Sequence, residues 1–160
     1  MGYTHYWKFK KHPKYVKDGC KKFKAAVELL KSCLEKVPKE LDIERYDYKT
    51  NSFVADKMPF ILKDGSGEGE PIFDDRSIIF NGDASSDYDH ESFYVTLDDD
   101  DDDFKFNFCK TARKPYDVAV CLALLCLKKE FDDDFSYSSD GTIDDCGWKL
   151  ATKIFNETAW

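Results

Sequence analysis

Residues Pro115-Tyr-Asp-Val-Ala-Val-Cys-Leu-Ala-Leu-Leu-Cys-Leu-Lys-Lys129 decide the architecture. Ten consecutive residues, Val118 to Leu127, are apolar and uncharged, with no polar stripe at any period. A surface helix carries such a stripe, whereas a helix apolar all round has to be enclosed. Pro115 stands at the favoured first helical position and predicts the start. Lys128 and Lys129 suit the negative C-terminal end. The segment is too short to span a bilayer, so it predicts the central helix of a globular fold.

Working outward, Val16, Cys20, Phe23, Val27, Leu30, Leu34 and Val37 recur at alternating spacings of four and three. That is one apolar stripe at helical period. Pro38 stops it, and Gly19 weakens only its first turn. Downstream, Phe135 to Ser138 reads as a short strand and Asp140-Gly141 as a turn. Asp144 or Asp145 then caps a last helix carrying Trp148, Leu150 or Ala151, and Phe155.

The remaining segments read as strands. Tyr3 to Phe9 is rich in strand-forming types, with Tyr3, His5, Trp7 and Phe9 on one face and Thr4, Tyr6 and Lys8 on the other. Phe60 to Leu62, Ser77 to Phe80, Ser92 to Leu97 and Phe104 to Cys109 follow, with Asn81-Gly82 as a turn signal. Between Leu41 and Lys57 the pattern is poor, and Ile43, Tyr46, Tyr48 and Phe53 fit a short strand or a turn of helix. Asp64 to Pro71 reads as a glycine-rich loop. The Asp98–Asp103 run, flanked by two strands, reads as an acidic loop insertion at a hairpin tip. The order β-α-β-β-β-β-α-β-α predicts one α+β domain, a mainly antiparallel sheet of about five strands packed with three helices.

Composition agrees with one domain: 160 residues, 42% hydrophobic and 16% aromatic, can bury a core without staples. The net charge is −8, split into +6 over residues 1–50 and −14 over the rest. Such a balance argues against a nucleic-acid polymer as partner. No apolar leader follows Met1, and with no spanning segment the chain reads as cytoplasmic with no membrane partner. A homo-oligomer is compatible with everything above. The six cysteines lack zinc-site spacing and read as reduced, so no metal and no cofactor is expected.

Three segments carry candidate chemistry. Lys110-Thr111-Ala112-Arg113-Lys114-Pro115 joins a strand to a helix N-terminus, where free N–H groups, three cations and the Thr111 hydroxyl suit an anion. Asp117 in the first turn competes for the same N–H groups. His90-Glu91-Ser92 places a histidine beside carboxylates, the arrangement of a general base. Thr4-His5-Tyr6-Trp7 offers rings that stack on a base and polar groups that pair with its edge. The Asp98–Asp103 run has oxygen ligands for calcium but lacks the spacing of a calcium loop and reads as a solvated tip, while Asp83, Asp87, Asp89 and Glu91 alternate in a loop and offer a weaker metal candidate.

The opening Met1-Gly2-Tyr3-Thr4-His5-Tyr6-Trp7 resembles the start of a family of uncharacterised phage and viral proteins. Phe80-Asn81-Gly82-Asp83, His90-Glu91-Ser92-Phe93, Phe108 to Asp117 and Ser138-Ser139-Asp140-Gly141 extend the resemblance over most of the chain. It implies a viral setting and no particular chemistry. The sequence therefore predicts a binding module for a small anionic or nucleotide ligand, in a viral setting one that sequesters a nucleotide-derived defence signal. Two rivals stand beside it. One is a nucleotide phosphodiesterase or hydrolase using His5 or His90, with Lys110 and Arg113 stabilising developing charge. The other is an interaction module presenting an acidic surface.

Overall fold

The computed structural model describes residues 3–98 and 102–160. In chain order the strands are β1 (Thr4–Phe9), β2 (Glu40–Asp47), β3 (Ser52–Pro59), β4 (Ile72–Phe73), β5 (Ser77–Phe80), β6 (Phe93–Thr96), β7 (Asn107–Lys110) and β8 (Phe135–Ser139). The helices are α1 (Gly19–Leu34), α2 (Asp117–Phe131) and α3 (Cys146–Ala159). They form one α+β domain with antiparallel pairing throughout. The single sheet expected from the sequence is three small ones, ordered β7-β1-β8, β2-β3 and β4-β5-β6.

The apolar helix is central, as its composition requires. Every residue of α2 from Asp117 to Leu127 except Leu125 is buried. Helices α1 and α3 pack on it, and β8 touches it from the sheet side. Inward residues of β1 complete the enclosure: Phe9 meets Phe131 at 5.1 Å and Phe135 at 4.9 Å, and Trp7 meets Phe93 at 4.7 Å. Through Phe93 and Phe80, 5.1 Å apart, the third sheet joins the same core. Lys128 Nζ donates to the carbonyls of Asp132 and Phe135, closing the C-terminal end of α2.

Four expectations are corrected. The poor pattern at 41–57 is a hairpin of two eight-residue strands, the longest strands in the molecule. It buries little beyond Leu41, so neither face had to alternate. Cross-strand pairs hold it instead: Arg45 with Asp56, and Tyr46 against Phe53 at 5.3 Å. Phe60 to Leu62 is not a strand, only a lead-in to the bridge between Lys63 and Asn81. Strands β6 and β7 do not make a hairpin, because β6 pairs β5 while β7 pairs β1. Asp99 to Asp101 of the acidic run lie outside the described residues. Helix α2 starts at Asp117 rather than Pro115, because Tyr116 is drawn into the core and donates its hydroxyl to the Glu91 carbonyl at 2.6 Å.

No helix among the described residues is long and apolar enough to cross a membrane. Packing around α2 predicts where stability resides. Leu122→Ala should lower unfolding free energy by about 2–5 kcal/mol, while Tyr48→Ala on the exposed hairpin should stay within about 0.5 kcal/mol. Urea denaturation reads both, and equal effects would contradict the central placement of α2.

Candidate functional site

Alternation along β1 turns His5 inward, where it is fully buried. Opposite it stands Asp117, the first residue of α2, also buried. His5 Nε2 and Asp117 Oδ1 are 2.6 Å apart. Thr111 donates its hydroxyl to the same oxygen at 2.5 Å, and Cys121, one turn along α2, directs its thiol at Oδ2 across 3.7 Å. A carboxylate in the first turn also sits at the positive end of the helix dipole. These donors occupy the carboxylate that the sequence set against an incoming anion.

The other side of the imidazole fixes its tautomer. Ser139 Oγ lies 2.8 Å from His5 Nδ1. That oxygen accepts the Gly141 N–H at 2.9 Å and the Trp148 Nε1–H at 3.0 Å. A hydroxyl has two lone pairs and one proton. Both lone pairs are taken, so the proton goes to Nδ1, and Nε2 carries the hydrogen that Asp117 accepts. The connectivity is that of a Ser–His–Asp triad, yet the serine has no lone pair left for attack. His5 Nε2, Asp117 and Cys121 also form a group whose ligand atoms lie within 4.8 Å of one another. That donor set suits a borderline metal, but Nε2 presents a hydrogen there, and a metal would have to displace it.

Outside this network lies a cavity of roughly 430 Å³, with Asp117 and Tyr3 in its inner wall. Leu41 and Ile43 of β2, Val118 of α2 and Leu150 of α3 supply apolar surface, and Arg113, Lys114, Lys149 and Lys153 supply cations. Gly147 lets α3 begin here, since a Cβ at that position would fall 2.2 Å from Asp117 Oδ2. Ala112 and Arg113 take left-handed backbone angles, φ 52° and 60°, a conformation costly outside glycine and concentrated at functional sites. The turn aims the Arg113 guanidinium over the Tyr3 ring at 4.1 Å and onto Asp145 at 3.1 Å. Burial works against the charged form of Asp145, but the Thr142 N–H and Arg113 outweigh it and hold its carboxyl below the ordinary range. Burial, and then the Asp117 charge, push the Tyr3 phenol up. The Tyr3 hydroxyl, buried, has no hydrogen-bond partner among the described residues.

The predicted residues divide accordingly. Arg113 and Lys114 line the cavity, and His5 stands behind it through Asp117. Thr111 is committed to Asp117, and Trp7 is buried in the core. Thr4 and Tyr6 face the opposite side of the sheet. His90 and Glu91 are exposed and are not among the cavity residues. The backbone of His90 is clamped by the buried Asn81 amide, and Glu91 accepts the Lys110 N–H at 2.7 Å. Ser92 donates to the Gly65 carbonyl, a loop-fixing role. His5 and Arg113 thus converge and His90 does not. Sequence reading missed Tyr3, Ser139, Trp148, Lys149 and Lys153. The one available signal was Asp117, a carboxylate opening an apolar helix and so in need of buried partners.

Nitrogen-15 NMR of His5 should show the Nε2–H tautomer, and an Nδ1–H form would overturn the bonding scheme. His5→Phe strands the Asp117 carboxylate and should cost about 3–5 kcal/mol of stability. The depressed Asp145 carboxyl stabilises the fold above its unfolded pKa near 4, and that contribution is lost as pH falls through the lower folded value. Arg113→Ala should therefore flatten the acid limb of the stability profile slightly, the pair being half exposed.

Compared with known proteins, the chain matches no family model, no curated protein and no solved structure.

Proposed function

We propose that the cavity beside Tyr3 and Arg113 binds a small anionic molecule with a flat or apolar body, in the class of nucleotides and nucleotide-derived signals. The observation that carries this reading is an apolar wall beside four cationic side chains, Arg113, Lys114, Lys149 and Lys153, in a lining that also holds Glu40, Asp42, Glu44, Asp117, Asp144 and Asp145. Lys149 and Lys153, one turn apart on α3, make no ion pair among the described residues. Arg113 stands over the Tyr3 ring in the same cavity. The cavity has the size usual for small-molecule sites.

Carboxylates also border the cavity, and their geometry limits their weight. Asp117 accepts from three buried donors, and Asp145 is held by Arg113 and the Thr142 N–H. Glu40, Asp42 and Glu44 alternate with Leu41 and Ile43 along β2, and both sets border the cavity along this strand. The orphan Tyr3 hydroxyl supplies a donor or acceptor for a ligand edge, and leaving it unpaired costs about 1–3 kcal/mol. In the viral setting implied by the opening heptapeptide, such a module would sequester a host signal. The enzymatic rival keeps the Ser139–His5–Asp117 connectivity in its favour, but the occupied serine and the buried imidazole favour binding over turnover.

Thermal-shift screening against mono-, di- and cyclic nucleotides tests the reading. A ligand at about 100 times its Kd should raise Tm by about 5–10 °C. Arg113→Ala and the double variant Lys149→Ala/Lys153→Ala should each abolish the shift. Mass spectrometry should recover the ligand intact, whereas recovery of products would favour the hydrolase. Silence of every nucleotide, in wild type and variants alike, would sink the proposal.

A further inference from the structure

The outward face of the β7-β1-β8 sheet is a second, separate surface. Strand alternation that sends His5 and Trp7 inward sends Thr4, Tyr6 and Lys8 outward. Tyr6 is in register with Phe108 on one side and Ser138 on the other, and Thr4 with Lys110. Phe106 stacks against Tyr6 at 6.1 Å and neighbours Phe108 at 6.2 Å. Phe106 and Phe108 are 61% and 56% exposed, well beyond what core packing leaves, so two rings stand open to solvent beside the half-buried Tyr6. On the β8 side the strip is bordered only by the short side chains of Ser136 and Ser138, both exposed, which leaves the ring faces accessible.

From these observations we infer that this face is a stacking platform for a short stretch of single-stranded RNA. Every base has a π-face, so rings on adjacent strands of a sheet bind unpaired bases without needing sequence. Lys8 lies two residues beyond Tyr6 and Lys110 two residues beyond Phe108 in the opposite direction, bracketing the rings with positive charge for phosphates. Thr4 to Lys8 spans about 13 Å, room for two or three stacked bases. The serine hydroxyls on the flank match the 2′-hydroxyl, which both donates and accepts. Carboxylates bound the face: Asp140 accepts the Thr4 N–H at one end, and Glu91 accepts the Lys110 N–H beside it. The overall negative charge opposes approach, so binding is short-footprint and salt-sensitive, unlike that of a protein basic along its whole surface.

Fluorescence anisotropy with a labelled ten-nucleotide uridine RNA at low salt tests the platform. Saturable binding is expected, weakened about tenfold by Phe108→Ala and by Phe106→Ala. Lys8→Ala should lower the salt slope by about one. Tyr48→Ala, an equally exposed ring on the hairpin, should leave binding unchanged and so excludes general stickiness. No anisotropy change up to about 100 μM protein overturns the inference, as does equal binding of the thymidine DNA decamer or of duplex RNA. Light scattering that finds a dimer dissociated by Phe108→Ala, with no RNA bound, assigns the face to a second copy of the chain and overturns it as well. Loss of RNA binding with an intact nucleotide thermal shift separates this surface from the cavity.

Discussion

The contact between His5 Nε2 and Asp117 Oδ1 ties the first strand of the chain to the first residue of its central helix across 112 positions of sequence. A carboxylate that opens a helix this apolar has no water to solvate it, so it must find donors inside the protein or the helix cannot dock. His5, Thr111 and Cys121 are those donors. Ser139 then fixes the imidazole from behind, and Trp148 and the Gly141 amide fix Ser139. Five segments are locked by one chain of polar contacts.

The cavity inherits its shape from that lock. Tyr3 immediately precedes β1 and lies edge-on to His5 at 5.2 Å, while the Thr111 and Ala112 N–H groups in the turn after β7 donate to the Tyr3 carbonyl. Arg113 therefore cannot move far from Tyr3 without disturbing the network. Helix α3 approaches because residue 147 has no side chain, and its approach brings Lys149 and Lys153 to the mouth. The strand-to-helix junction that the sequence singled out borders this cavity through Arg113 and Lys114. The N-terminus of α2 is taken by its own aspartate, and the cations beside the cavity are Arg113, paired with Asp145, Lys114, whose ammonium donates to the Asp87 carbonyl, and Lys149 and Lys153 of α3.

Much of the fold was legible because it follows from local period. The stripe from Val16 to Val37, the all-apolar run and the alternation of β1 each forced an element and its buried side. The hairpin at β2–β3 was hard to read for the converse reason: it buries little beyond Leu41, alternates clearly only from Glu40 to Glu44, and leaves Tyr46, Tyr48 and Phe53 exposed. Pairing partners were equally hidden, since strand composition does not encode whether β6 joins β7 or β5. Of the cations lining the cavity, Arg113 and Lys114 were singled out in the sequence by their charge at a turn. Lys149 and Lys153 were not, because two lysines on a helix look like any solvated surface.

The sequence by itself determined which side chains turn inward, that one helix lies at the centre, and that Asp117 would need company there. Those are consequences of hydrophobic period and of the cost of burying a charge, both readable along the chain. Only the tertiary structure decided that the company is His5, that Ser139 sets its tautomer, that the cations of two distant segments share one cavity, and that Tyr6 and Phe108 stand side by side on the outer face. Each joins groups separated by tens to more than a hundred residues, and such meetings are set by how elements pack in three dimensions rather than by any local preference.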